Sequence, residues 1–269
     1  MVTAGDDIRI SEPLQSTVLQ PNPHLKIETL YEDESVLVVN KPGSIPCHPL
    51  KQGELDTVIN AVVATYPEAA RAGDKPLEGG LVHRLDNGTS GALIIARTPK
   101  AFAAMRTAIR RGDISRRYLA LCAGHVEKAV EIGTPIAHHP KNRRKMNAVA
   151  LNAATSGARP AATLLRPLRR FSGFSLIEAR PHTGRRHQVR VHLASIGHPL
   201  VGDALYSGPE AVELAPGRFW LHLSEIAFEP RSSGYITIHA PLPSDLDAVL
   251  KRLSPSYMIT NSARWTGRN

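Results

Sequence analysis

LVHRLDNGTSGALIIA occupies residues 81–96. An apolar pair, Leu81 and Val82, runs into His83, Arg84, Leu85 and Asp86. The chain then breaks through Asn87, Gly88, Thr89, Ser90 and Gly91 before a second apolar run. Asn and Gly at such a break supply a turn, and the ALIIA run has the unbroken hydrophobicity of a strand buried on both faces. An aspartate on a tight turn between two such segments lies near the interior, where a charged carboxylate is costly unless a cation or several donors hold it. Either Asp86 caps the turn beside a solvated Arg84, or a cation from elsewhere in the chain pairs with it. In an extended segment residues 84 and 86 point to the same side, which does not by itself give the fork-to-carboxylate geometry of a good pair.

The flanking chain alternates strand and helix signals. IETLYEDESVLVVNKP reads as a hairpin around Glu32, Asp33 and Glu34. DTVINAVVATYP has helical spacing, with Asp56 as N-cap and Pro67 at the exit. Thr98 and Pro99 open a helix over PKAFAAMRTAIRR that Gly112 ends. RYLALCAG, ATLLRPLRRF, FSLIEAR, FWLHLSEIAF and YITIHAP read as strands. RRHQVRVHLASI reads as a helix stopped by Gly197, and SDLDAVLKRL as a last helix capped by Ser244. This mixture predicts an α+β domain around a large mixed or antiparallel sheet. Residues 1–25 read as a polar leader, 26–255 as one catalytic domain and 256–269 as a loose tail.

With 269 residues and 42% hydrophobic content the chain can bury a sizeable core. No apolar run approaches the roughly 20 residues of a membrane span, and MVTAGDDIRISE lacks the regions of a signal peptide, so the expected location is the cytoplasm. Cys47 and Cys122 are isolated, which offers neither a disulfide framework nor a CxxC knuckle. Thirty-three Lys and Arg against 24 Asp and Glu give a formal charge of +9. Such a field draws polyanions and makes nucleic acid the leading partner class; the other reading is a generally basic soluble protein.

A second constellation, RPHTGRRHQVRVHLASIGHPLVGD, places Arg185, Arg186, His187, Gln188, Arg190 and His192 at the start of a helix. There N-terminal amides and arginine forks favour phosphate or carboxylate partners. The alternative is a solvated basic helix face, which the apolar residues at both ends of the cluster weaken. His187 and His192 are five apart, poor spacing for a shared zinc on one helix face, and HExxH is absent. Cys47 and His48, adjacent in an extended stretch, point apart and make a poor nucleophile and base pair. The basic loop His138 to Lys145 is a candidate RNA contact or a solvated loop.

Taken together these stretches resemble the pseudouridine synthases of the large-subunit rRNA/tRNA type, often called the RluA family. HRLDNGTSGALIIA is similar to the family's aspartate-bearing signature, TGRRHQVRVHLASIGHPLVGD to its arginine motif, NKPGSIPCHP to its first motif and SRRYLALCAG to its tyrosine segment, in the family's order from about Leu30 to Pro243. The resemblance implies the pseudouridine synthase fold, a mostly antiparallel mixed sheet with flanking helices and a central basic cleft. It implies Asp86 as the catalytic aspartate, Arg190 as its arginine partner and Tyr118 as the tyrosine that stacks on the target base and serves in removing the C5 proton. Arg84 would fill the gap left by the flipped nucleotide. His83, Arg185, Arg186, His187, Gln188 and Lys41 would join it in RNA binding, Lys41 also shaping the first motif. The leader is too short for the S4 RNA-binding domain that many relatives carry in front, and Arg186 stands where relatives usually have a small hydroxyl residue.

The implied reaction breaks the N1 glycosidic bond of uridine, rotates the uracil and joins C5 to C1′. It involves no redox change and no external group, so it calls for neither metal nor cofactor. A carboxylate can attack C1′ or take a proton from C2′ to form a glycal, and the residues do not choose between these routes. The expected partner is RNA, rRNA or tRNA, bound by a monomer. Two other functions fit part of the chain: a non-catalytic RNA-binding or chaperone protein on the same fold, and a nucleoside hydrolase acting on small molecules, which leaves the charge unexplained.

Overall fold

A computed structural model describes residues 18–149, 157–230 and 234–253. Most of the leader and the whole tail expected at 256–269 lie outside them. The hairpin forms as β1 (Glu28–Glu32) and β2 (Val36–Lys41). Asp33 closes its turn by accepting the Ser35 and Val36 N–H groups at 2.7 and 2.8 Å. Helix α1 (Val58–Thr65) begins one residue later than its sequence suggests. Thr57, not Asp56, is the N-cap, and it makes no side-chain capping bond; Asp56 instead accepts from Asn22. Strand β3 (Ser90–Ala96) is buried at every position.

Helix α2 (Pro99–Arg111) keeps the bounds its punctuation marks. Thr98 Oγ1 accepts the Ala101 N–H, Pro99 stands at the first helical position, and Gly112 closes the helix in the left-handed conformation at φ 84°. The remaining strands and α-helices are β4 (Ser115–Ala123), β5 (Val130–Ile132), β6 (Ile136–His138), β7 (Met146–Ala148), β8 (Thr163–Phe171), β9 (Phe174–Pro181), α3 (Gln188–Ser195), β10 (Leu221–Phe228), β11 (Ile236–His239) and α4 (Ser244–Leu253), with short 3-10 turns at Pro67–Arg71 and Ala204–Tyr206. Ser244 lies inside α4 rather than ahead of it. The sequence pattern misses β5, β6 and β7, each only three residues long. The last two pair with each other, so the basic loop is the tip of a hairpin.

The main sheet runs β1-β2-β3-β10-β4-β9-β8-β5, and β11 also pairs with β10. Every pairing is antiparallel except that of β3 with β10. Strand β10 is the hinge of the architecture: β4 lies along one edge, and β3 and β11 share the other. This explains the unbroken apolar run of β3, a central strand covered on both faces. The larger core joins β2 and β3 to residues of α1 and α2; a second sets Leu246, Val249 and Leu250 of α4 against Leu121 and Trp220. In register, Gly91 sits beside Leu223 and Leu223 beside Tyr118. The loop before β3 therefore opens next to the middle of β4.

Candidate active site

The loop that carries Asp86 is pinned by buried cations. Lys41, fully buried, donates through Nζ to the carbonyls of Pro42, Asn87 and Thr89 at 2.8, 3.1 and 2.7 Å; burial lowers its pKa to about 8. Arg218 donates to the Gly88 carbonyl and, at 2.9 Å, to Ser90 Oγ, while its Nε is held by Asp245 at 2.7 Å. Glycine is required at 88, where a Cβ would lie 2.4 Å from the Gly217 carbonyl and 2.5 Å from the Phe219 ring, and at 91, where φ is +117° and a Cβ would meet Leu223 O at 2.2 Å.

So held, Asp86 presents a side chain that is one quarter exposed, with Oδ2 3.0 Å from Arg190 Nη1 and Oδ1 3.9 Å from His187 Nε2. Arg190 enters from α3, 5% exposed. Its Nε and Nη2 grip both oxygens of Asp203 at 2.7 and 2.9 Å, and its plane lies 4.2 Å from the Phe219 ring centre and 5.0 Å from that of Tyr206. Burial opposes the charge on Arg190, but Asp203 and Asp86 outweigh it and raise its pKa. The pair expected between Asp86 and Arg190 is present, and Asp203 completes it.

Tyr118 is 8% exposed in β4, and burial pushes its phenol up to about 12, so it stays protonated at neutral pH. Arg116 lies two residues earlier on the same strand face, with Nη2 3.1 Å from the Thr183 carbonyl. Asp86, Tyr118, Arg190 and Arg116 line one cleft of about 2010 Å³. Small-molecule pockets run to about 1,000 Å³, so this space suits a nucleotide with its neighbours better than a free nucleoside. The lining is mixed in charge: Arg84, Arg144, Arg185 and Arg186 border it, and so do Glu54, Asp74 and Glu78.

Comparison with known proteins then decides the family. The family model described as RNA pseudouridylate synthase matches residues 35–195. The chain belongs to that family. A ribosomal large subunit pseudouridine synthase D of Haemophilus ducreyi is 31% identical over 95% of this chain and 79% of its own. The protein of that name from Escherichia coli K12 is 32% identical with the same coverage. An uncharacterised RNA pseudouridine synthase of Synechocystis is 34% identical over 90% of this chain and 73% of its own. Among solved structures, human RNA pseudouridylate synthase domain containing 1 superimposes with a TM-score of 0.61 at 25% identity, covering 85% of this chain and 94% of its own. Domain containing 4 gives 0.65 at 22%, over 84% and 92%, a likeness of fold. The expected α+β pseudouridine synthase fold and the activity, RNA pseudouridylation, are those of the family; the cleft carries acidic as well as basic side chains rather than the basic lining expected of it.

Within this pseudouridylate synthase domain, several residues expected to touch RNA are occupied elsewhere. Lys41 cannot reach RNA, since it is fully buried among its three carbonyls. Gln188, 5% exposed, accepts from Thr183 and the Arg185 N–H and donates to Ala162 O and Thr163 Oγ1, which uses its amide in full. His83 accepts the Ile94 N–H through Nε2, and burial, with Arg116, lowers its pKa to about 3, so it brings no positive charge. Arg84 is more than half exposed but not free, with Nη1 3.4 Å from Glu78. Arg185 borders the cleft with Nε bonded to Pro160 O, and Arg186 is exposed against the Arg144 carbonyl.

His187 faces Asp86 rather than solvent. Cys47 is locked to Leu85 by donating to its carbonyl and accepting its N–H, and burial raises its thiol pKa. His192, fully buried, bonds Thr163 and the Thr134 carbonyl. Sequence reasoning missed Asp203, Tyr206 and Phe219. The one available signal was Asp203 itself, an acid ending the same motif as Arg190.

Proposed function

We propose that this chain converts uridine to pseudouridine in large-subunit ribosomal RNA, with Asp86 as the catalytic carboxylate, Arg190 as the cation that aligns it and Tyr118 as the platform for the flipped base. The observation that carries the reading is the 3.0 Å contact between Asp86 Oδ2 and an Arg190 whose other edge Asp203 occupies. A protein that only binds RNA gains nothing from a carboxylate in the cleft that receives a polyanion. The ribosomal substrate is carried by the names of the relatives, and a monomer by the fact that one chain supplies all three residues.

The target uridine leaves its stack at a cost of a few kcal/mol. Stacking on Tyr118 and phosphate contacts from Arg84, Arg185, Arg186 and the hairpin tip around Arg144 offset it. Asp86 then attacks C1′ to form an ester or takes the C2′ proton to form a glycal, and in either case the N1–C1′ bond breaks and uracil leaves with the bonding pair. The uracil, still stacked, turns to present C5 and bonds to C1′; this displaces the Asp86 carboxylate from the ester, or is accompanied by return of the proton from Asp86 to C2′ of the glycal. The C5 proton leaves and N1 ends protonated, so Asp86 is regenerated and product and substrate have the same atoms. At neutral pH the phenol of Tyr118 carries its proton, which suits a stacking and hydrogen-bonding role for the ring.

Pseudouridine mapping by carbodiimide labelling and primer extension, on RNA from cells with and without the gene, tests this. A site in large-subunit rRNA that disappears on deletion and returns with wild type but not with Asp86→Ala is expected. A missing site in tRNA alone would refute the ribosomal assignment, and restoration by Asp86→Ala would refute the catalytic one.

A further inference from the structure

His187 sits at the N-cap of α3 in the left-handed region, φ 56°, and caps nothing with its side chain. A residue other than glycine is strained there, so the surroundings must enforce the conformation. The ring packs edge-on against Tyr206, centroids 5.8 Å apart at 89°, with Nδ1 2.8 Å from the Tyr206 hydroxyl. That hydroxyl already accepts the Met146 N–H at 2.9 Å. A phenol has one proton to donate, and with Met146 donating to the oxygen, the arrangement that uses both groups fully directs that proton to His187 Nδ1. In that arrangement Nδ1 accepts and the proton of the neutral ring sits on Nε2. Burial, reinforced by Arg190 and Arg186, lowers the ring's pKa to about 4 against the opposing pull of Asp86, so the neutral form prevails at physiological pH. Nε2 faces Oδ1 of Asp86, the oxygen that Arg190 does not hold, at 3.9 Å.

We propose that His187, its tautomer set by Tyr206, is a positioning residue for Asp86. Its Nε2–H closes on Oδ1 when RNA fills the cleft, and the carboxylate is then held at both oxygens. Tyr206 serves both halves of the clamp, since its ring also lies 5.0 Å from the Arg190 guanidinium. Because Met146 opens β7, the clamp is anchored in the hairpin whose basic tip borders the cleft. The inference rests on the reading of Asp86 as the catalytic carboxylate.

The test compares wild type, His187→Gly, His187→Asn, Tyr206→Phe and Asp86→Asn by single-turnover rate and affinity on a large-subunit rRNA transcript, with thermal midpoints. Glycine relieves the left-handed backbone, so His187→Gly should unfold close to or above the wild-type midpoint yet turn over at least tenfold more slowly, with Kd within twofold. His187→Asn, which tolerates this conformation and keeps an N–H donor, should recover part of the rate. Tyr206→Phe keeps the ring and should lose several-fold in rate with unchanged Kd. A His187→Gly rate within twofold of wild type, beside an inactive Asp86→Asn, would overturn this inference and leave Asp86 standing. Rate and affinity falling together would make His187 an RNA contact and also overturn it. An active Asp86→Asn would remove the reading beneath it.

Discussion

The guanidinium of Arg190 reaches Asp86 through Nη1 alone, 3.0 Å from Oδ2, while Asp203 fixes its opposite edge at 2.7 and 2.9 Å. One arginine thus serves two aspartates that differ in exposure: Asp203 at 1% is structural support, and Asp86 at the cleft is left one firm partner. Asp203→Asn should therefore slow turnover tenfold or more while RNA affinity stays within twofold. The fold should also lose stability, because a buried guanidinium without its carboxylate is costly. Single-turnover kinetics and denaturant unfolding check this; wild-type rates would show that Arg190 needs no clamp.

Asp86→Asn should abolish isomerisation and leave RNA affinity within roughly tenfold, since phosphate contacts dominate binding. Filter binding beside a pseudouridine assay separates the two. Affinity lost in step with activity would speak against a purely catalytic role.

Tyr118→Phe removes the hydroxyl and keeps the stacking face. The expected outcome is a fall in turnover larger than the fall in affinity; equal activity would strip the hydroxyl of any part in the reaction.

Lys41→Met would strand three carbonyls that now share one ammonium. Unsatisfied buried groups cost about 1–3 kcal/mol each, so the fold should lose about 2 kcal/mol or more while the folded fraction binds RNA normally. Arg186→Ala should do the reverse, raising Kd with no change in unfolding. Undiminished stability in Lys41→Met together with weaker binding would restore Lys41 to the RNA surface.

His222 lies fully buried between Ser90 and the Ala240 carbonyl, and burial, with Arg218, lowers its pKa to about 4; His83 is lowered to about 3. A histidine has a pKa of about 6.5 when unfolded, so below that value the unfolded chain takes up protons that the folded chain refuses. Stability should be full above about pH 6.5 and fall as pH drops toward 4. Denaturant melts across that range should show the loss, and His222→Gln should flatten it; an unchanged slope would place the titration elsewhere.

The elements legible in the sequence are those whose signals are local. Helix α2 could be bounded to the residue because a cap, a proline and a left-handed glycine each act within one turn. Strand β3 stands out because a central strand must be apolar at consecutive positions. The three-residue strands β5, β6 and β7 carry no such period and exist by virtue of their partners. Asp86, Tyr118 and Arg190 could be marked as a set only through their motifs, since Asp86 and Arg190 meet from 104 residues apart.

By itself, then, the sequence determined the longer strands, the long helix, the basic balance and the two motifs whose aspartate and arginine meet. Tertiary structure alone decided which polar groups are buried and to whom they bond. It turned Lys41 and Gln188 from RNA contacts into internal fasteners, brought His187 onto Asp86 and set Asp203 behind Arg190. The physical reason is that a cap or a strand period is satisfied by neighbours in the chain. A buried donor must instead find its acceptor wherever the sheet order brings one, and here that order sets β3 beside β10 and β10 beside β4.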